Sequence, residues 1–144
     1  MTMKTLLAFF YNNLEFLYLN SRYHITDSST TGMENDRASL TLTGQTMTVT
    51  LTNDRGKIRF AVAPTKFLTS RNWFRATTVR QHLDGVDETN SVPSKETAVW
   101  LRDNFERVEA LFSDESVSGS CSALDDLRHS NAEKWFGPSQ PPPS

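Results

Sequence analysis

The residues best suited to catalysis or metal binding are few in this chain and lie far apart. Its 144 residues include three histidines, His24, His82 and His129, and a single cysteine, Cys121. None of them has the HExxH or CxxC spacing that brings two metal ligands together on one helical turn or one knuckle. We therefore expect the histidines on the surface, and the sequence predicts no metal site.

Cys121 is a candidate nucleophile only if a histidine and a positively charged environment surround it in space. Its sequence neighbours are serines and two carboxylates, Asp125 and Asp126, which favour a raised thiol pKa. We expect a half-buried helix cysteine instead. One cysteine cannot form an internal disulfide, which indicates a reducing compartment.

Carboxylates are numerous, but a general acid–base pair needs one carboxyl group buried so that its pKa rises. Nearly all of the pairs stand in polar segments, where water keeps both groups ionised. Residues 84–88 are too short and irregular for a Ca²⁺ loop, and no GxxxxGK[ST], GxGxxG or GxSxG motif occurs. The sequence predicts no catalytic residue and no cofactor. The pairs are Glu34/Asp36, Asp84/Asp87/Glu88, Asp114/Glu115 and Asp125/Asp126.

Charge is distributed unevenly along the chain. Residues 1–72 have a net charge of +3 and residues 73–144 a net charge of −5. The first half is too mildly basic to indicate a nucleic-acid binder. The acidic second half suits a basic protein partner, although solvated helix faces explain the same excess. The predicted partner-binding residues are Asp84, Asp87, Glu88, Asp103 and Glu106.

The elements that must position these residues begin with a helix over about residues 3–20. Its apolar residues recur at intervals of three and four. Asn12 interrupts the apolar run after six residues, which argues against a signal peptide and a membrane span. We expect a cytoplasmic protein. The helical positions are Leu6, Phe9, Phe10, Asn13, Leu14, Leu17 and Tyr18.

Strict alternation over residues 38–43, 47–52 and 58–62 predicts an antiparallel meander with one buried side. Gly56 follows a turn sequence and can take the positive φ that hairpins require. A further strand begins near Tyr23, and residues 27–36 are interpreted as a turn or long hairpin loop. Whether residues 28–37 belong to a strand is left open. The predicted buried face holds Leu40, Leu42, Met47, Val49, Leu51, Ile58, Phe60 and Val62.

Helices follow the sheet. A helix over about residues 73–83 ends at the capping Gly85, with a strand entering a short helix as the alternative. Ser94 is predicted to cap a helix that runs through residue 112, and a last helix covers about residues 121–136. The sequence thus predicts an α+β fold: an N-terminal helix, an antiparallel β-meander of about four strands, and two or three C-terminal helices packed on one sheet face. We expect one domain, residues 1–137, and a disordered proline-rich tail, residues 138–144.

The order of these segments resembles a group of small, poorly characterised bacterial cytoplasmic α+β proteins. They look similar in size and style to immunity proteins, which neutralise a toxin by binding it. The resemblance covers about residues 5–137 and rests on packing and turn residues. Residues 28–37 are more polar than in that group. Where that group has a charged start to its last helix, this chain has the uncharged residues 118–122. The segments that carry the resemblance are NDRG (53–56), WF (73–74), LDG (83–85), LRDNFERVEALF (101–112) and WFG (135–137).

Two main hypotheses follow. In the first, the chain is a non-enzymatic protein-binding module of the immunity type, whose partner is a basic toxin domain. In the second, it is a structural or regulatory adaptor that self-associates through a sheet face or edge. An unrecognised enzyme is a third hypothesis. We expect a monomer or a weak homodimer that binds neither nucleic acid nor membrane.

Overall fold

In the described part of the chain, five antiparallel strands form one sheet in the order β1-β2-β3-β4-β5. The computed structural model describes residues 2–30, 37–86 and 94–136, and it confirms the α+β class with helices before and after the sheet. The elements are α1 (Thr2–Asn13), α2 (Glu15–Tyr18), β1 (His24–Thr30), β2 (Arg37–Thr43), β3 (Met47–Asp54), β4 (Lys57–Pro64), β5 (Phe74–Arg75), α3 (Ala76–Asp84), α4 (Ser94–Asp103), α5 (Phe105–Leu111) and α6 (Val117–Phe136). Two short 3₁₀ helices lie between β4 and β5.

The predicted apolar face of the meander is confirmed. Leu40, Leu51 and Phe60 stand side by side across β2, β3 and β4, and the three side chains are buried. Helix α1 packs on β2 and β3, and α3 and α4 contact β4. The alternation that buries one set of side chains sends the intervening residues to the other face. Of the predicted core residues only Ile58 is half-buried.

The other face of the sheet is rich in hydroxyl groups. The Thr41 and Thr50 hydroxyls lie 3.3 Å apart across β2 and β3, and the Ser29 and Ser39 hydroxyls lie 2.7 Å apart across β1 and β2. Such pairs contribute little stability each, but they are compatible with a half-exposed surface.

The β3–β4 hairpin turns as its sequence predicts. Gly56 has a φ of 91° and Arg55 a φ of 53°, which are the two positive values that a two-residue hairpin loop demands. The Asn53 side-chain oxygen accepts a hydrogen bond from the Gly56 N–H at 2.9 Å.

Strand β1 is longer than the sequence pattern indicated. The loop was predicted to begin at Asp27, but β1 continues to Thr30 and pairs with β2 through a bulge between Ile25 and Asp27. All seven of its residues are exposed. An exposed edge strand shows no apolar alternation, so only its backbone pairing with β2 identifies it. Residues 31–36 lie outside the described residues.

Two predicted helices are divided. The first breaks at Leu14, whose φ and ψ are −125° and 30°. The second breaks at Asn104, although i→i−4 hydrogen bonds of 3.0 Å from Asn104 to Trp100 and from Val108 to Asn104 span the junction. Thus α4 and α5 form one nearly continuous helical stretch.

Two helix starts differ from expectation, whereas α4 begins at Ser94 as predicted. Helix α3 starts at Ala76 after the two-residue β5, which confirms the alternative of a strand entering a short helix. Helix α6 starts at Val117 rather than near residue 121. Ser94 donates its hydroxyl to the Ile58 carbonyl of β4 at 2.6 Å, so this side chain ties α4 to the sheet.

The predicted glycine cap is confirmed. Gly85 has a φ of 70°, and its N–H donates to the Gln81 carbonyl at 2.8 Å. The predicted stop after Phe136 and the tail at residues 138–144 lie outside the described residues, so the domain boundary at residue 137 stays a prediction. Among the described helices, none has the length and apolar character needed to cross a membrane.

Candidate partner-binding surface

Asp84 lies at the C-terminal end of α3, where two other helices meet it. Its Oδ2 accepts a hydrogen bond from the Trp100 indole N–H at 2.7 Å, and its Oδ1 accepts one from Arg107 at 3.0 Å. Trp100 belongs to α4 and Arg107 to α5, so one carboxylate joins three helices. The Arg107 guanidinium also donates to the Leu83 carbonyl at 3.3 Å.

These contacts determine the protonation of Asp84. The hydrogen bond from Trp100 lowers the pKa of this carboxyl group below its ordinary value, and the hydrogen bond from Arg107 lowers it further. Asp84 is therefore charged at neutral pH with both oxygens occupied by neighbours in its own chain. Its role in the described structure is to hold α3 against α4 and α5.

Beyond Asp84, α4 and α5 present one continuous exposed stripe, called here the α4–α5 outer face. Its members recur at the three- and four-residue intervals of a helical surface. The buried residues of the same helices, such as Leu101 and Val108, belong to the hydrophobic core. The exposed residues of the α4–α5 outer face are Lys95, Glu96, Val99, Arg102, Asp103, Glu106, Arg107 and Ala110.

The centre of this outer face is apolar and its surroundings are charged. Val99 exposes 38% of its surface, and it is the only exposed large apolar residue within α4 and α5. Glu96, Asp103 and Glu106 lie on the same stripe. Asp103 accepts a hydrogen bond from the Arg102 Nε at 3.1 Å, whereas Glu96 and Glu106 make no ion pair with the described residues.

The structure thus separates the five predicted partner-binding residues. Asp103 and Glu106 lie together on the α4–α5 outer face, and Asp84 lies beside it but is engaged by Trp100 and Arg107. Asp87 and Glu88 lie outside the described residues. Glu96 and Val99 were not predicted, although they lie seven and four residues before Asp103, a helical spacing that could have revealed them.

Two other carboxylates of the acidic half are engaged in the packing. The Tyr23 hydroxyl donates to Glu109 Oε2 at 2.5 Å, and the Arg22 guanidinium lies 3.5 Å from Glu109 Oε1. Desolvation raises the pKa of the Tyr23 hydroxyl well above its ordinary value, and the bond to Glu109 raises it further. Asp125 accepts a hydrogen bond from Arg128, which lowers the pKa of Asp125. The Tyr23–Glu109 bond links the residue before β1 to α5, whereas the Asp125–Arg128 pair lies within α6.

The histidines and the cysteine are dispersed. His24, His82 and His129 are exposed, as expected, on β1, α3 and α6. Cys121 is half-buried on α6, and desolvation raises the pKa of its thiol. Within residues 2–30, 37–86 and 94–136, no three His, Cys, Asp or Glu side chains are grouped closely enough to hold a metal ion.

Comparison of the chain with protein-family models, with curated proteins and with solved structures gave no match.

Proposed function

We propose that this chain is a non-enzymatic protein-binding module of the bacterial cytoplasm, of the immunity type, which neutralises a toxin by direct binding. The observation that carries the proposal is the α4–α5 outer face, with the exposed Val99 between Glu96 and Asp103 on one helical stripe. An apolar contact surrounded by charged residues is the usual composition of a transient protein interface.

The rigidity of this surface supports the same function. Trp100 and Arg107 hold Asp84, and Ser94 holds the start of α4 on β4. The α4–α5 outer face is therefore presented by a fixed scaffold and pays little ordering entropy on binding. A preorganised surface suits an inhibitor that must occupy its target tightly.

The charge of the surface favours a basic partner. Because Arg102 is paired with Asp103 and Arg107 with Asp84, the charges left on the outer face are Lys95 and the carboxylates of Glu96 and Glu106, which sum to −1. The two further acidic residues of the adjoining segment, Asp87 and Glu88, increase the negative charge close to it in sequence. Complementary charge accelerates association and disfavours acidic partners.

The test is co-expression with the product of the adjacent upstream gene, the candidate toxin, followed by affinity purification. We expect co-purification at low salt, loss of binding at high salt, and rescue of growth in cells that express the toxin. The triple variant Glu96→Lys, Asp103→Lys and Glu106→Lys should abolish both binding and rescue.

The matched control reverses three exposed carboxylates elsewhere: Glu115→Lys, Asp126→Lys and Glu133→Lys. Both triple variants change the net charge equally, so the control separates a local contact from general electrostatic attraction. Equal loss of toxin binding and of growth rescue in the two triple variants would contradict the proposed surface. A gene neighbourhood without any toxin-like product would contradict the immunity function.

A further inference from the structure

The outer side of α1 carries an exposed apolar patch that the fold does not need for its core. Leu7 exposes 45%, Tyr11 66% and Tyr18 39% of their surfaces. Leu7 and Tyr11 are one helical turn apart, and the Tyr18 ring stacks on the Tyr11 ring with centroids 6.0 Å apart and planes inclined by 14°. Single exposed apolar residues are common, but a contiguous group indicates an interaction surface.

The break between α1 and α2 creates this group. In an uninterrupted helix, residues seven positions apart are separated by about 10 Å along the axis. The non-helical backbone of Leu14 brings Tyr18 back onto Tyr11. Desolvation raises the pKa of the Tyr18 hydroxyl, and the Glu15 carboxylate, three residues before it in α2, raises it further.

Opposite charges stand at the two ends of the patch. Lys4 lies one turn before Leu7 in α1, Glu15 is the first residue of α2, four residues after Tyr11, and both are exposed. Neither forms an ion pair with another of the described residues. When a second copy of the patch lies antiparallel to the first, its Lys4 comes opposite Glu15 and its Leu7 comes opposite Tyr11. The patch is therefore complementary to a copy of itself in antiparallel orientation.

We propose that the outer side of α1 is the interface of a homodimer, in which two copies of α1 pair antiparallel across a twofold axis. Lys4 of each copy meets Glu15 of the other, and Leu7, Tyr11 and Tyr18 pack at the centre. A twofold interface uses the same patch on both subunits, which is what the arrangement of charges provides. Because the patch covers only the short segment from Lys4 to Tyr18, the interface is small and the dimer weak.

This geometry differs from association through the sheet. The free edge of β1 carries a bulge and the charged Asp27, which are features that oppose pairing between edge strands. The dimer also leaves the α4–α5 outer face unused, so it is independent of the proposed function.

Sedimentation velocity of the full chain, from micromolar to millimolar concentration, tests the proposal. We expect reversible dimerisation, and a dissociation constant that rises roughly tenfold in Lys4→Glu and in Glu15→Lys, because each creates two like-charge contacts. The double variant exchanges the two charges and should restore dimerisation to within about threefold. Lys95→Glu and Glu115→Lys, which make the same charge changes elsewhere, should have no effect.

Disulfide trapping determines the relative orientation of the two α1 helices in the dimer. In a Cys121→Ser background, Lys4→Cys and Glu15→Cys are made as separate proteins and mixed. Antiparallel pairing predicts that the mixed disulfide forms faster than either homodisulfide. A strict monomer at millimolar concentration, a double variant as weak as the single variants, or a preference for homodisulfides would overturn the proposal.

Discussion

The two faces of the sheet are built from the same strands but differ in what holds them in place. On one face Leu40, Leu51 and Phe60 are buried beneath the helices. On the other, hydroxyl pairs such as Thr41 with Thr50 lie half-exposed. Burial of apolar surface contributes about 25 cal/mol per Å², whereas a cross-strand hydroxyl pair contributes well under about 1 kcal/mol. The difference implies that stability resides almost entirely in the helix-covered face.

The largest effect is expected from Leu51→Ala. The Leu51 side chain is fully buried, with Leu40 of β2 and Phe60 of β4 beside it, so truncation leaves a cavity that costs about 2–5 kcal/mol in the free energy of unfolding. Urea denaturation followed by circular dichroism measures it. The adjacent Thr52→Ala, on the hydroxyl face, should cost under about 1 kcal/mol. Similar losses in both variants would remove the distinction between the faces.

The next largest effect is expected from substitution of Gly44, which lies between β2 and β3 and faces the Tyr23 ring just before β1. A Cβ at Gly44 would lie 2.6 Å from the Tyr23 ring, and that ring packs edge-on against Phe105 with centroids 5.2 Å apart. Because the ring cannot retreat, Gly44→Ala should lower the free energy of unfolding by about 1–3 kcal/mol. Gly119 in α6 has open space at its Cβ, so Gly119→Ala should instead stabilise the protein by about 0.5–1 kcal/mol. Thermal denaturation measures both effects, and melting temperatures that shift in the same direction in Gly44→Ala and Gly119→Ala would contradict this prediction.

An intermediate effect that depends on pH is expected at Asp84. Its pKa is lowered in the folded state, so its stabilising contribution is complete above the ordinary carboxyl pKa of about 4 and is lost as the pH falls through the folded value. Wild type should therefore be more stable than Asp84→Asn at neutral pH, and the difference should disappear in acid. Urea titrations of the two proteins at neutral and acidic pH measure this difference. A difference that persisted in acid would mean that the charge of Asp84 is not what joins the helices.

The smallest effect is expected from Thr50→Ala. Its hydroxyl lies 3.3 Å from the Thr41 hydroxyl and 3.3 Å from the Leu40 carbonyl, and both contacts are on the half-exposed face. We expect a loss below about 1 kcal/mol. A loss as large as that of Leu51→Ala would show that the hydroxyl ladder contributes to the fold as much as the covered core.

Sequence patterns predicted the parts of the molecule that depend on local backbone geometry. The alternation in residues 38–62 identified three strands and their buried side chains, because side chains of a strand must alternate between its faces. Gly56 and Gly85 were identified as turn and cap residues, because glycine takes a positive φ without steric cost. The length of β1 was not predictable, since its exposed residues carry no apolar period and only the pairing with β2 identifies its end.

The candidate surface could be predicted only in part. Asp103 and Glu106 follow from acidic composition on a helical period, and Glu96 and Val99 follow from the same spacing once the outer stripe is known. Asp84 was expected to face a partner, but its carboxylate is occupied within the chain. Acidic composition alone does not distinguish a carboxylate that faces solvent from one that accepts hydrogen bonds inside the molecule.

By itself, the sequence determined the class of the fold, the alternation of buried and exposed side chains in the meander, and the positions of its tight turns. These features depend on residues close together along the chain. Only the tertiary structure decided the roles of Asp84 and Tyr18. Trp100 and Arg107 stand 16 and 23 residues from Asp84, and the stacking of Tyr18 on Tyr11 depends on the break at Leu14. Contacts of this kind form only when packed elements bring distant residues together, and no local periodicity encodes them.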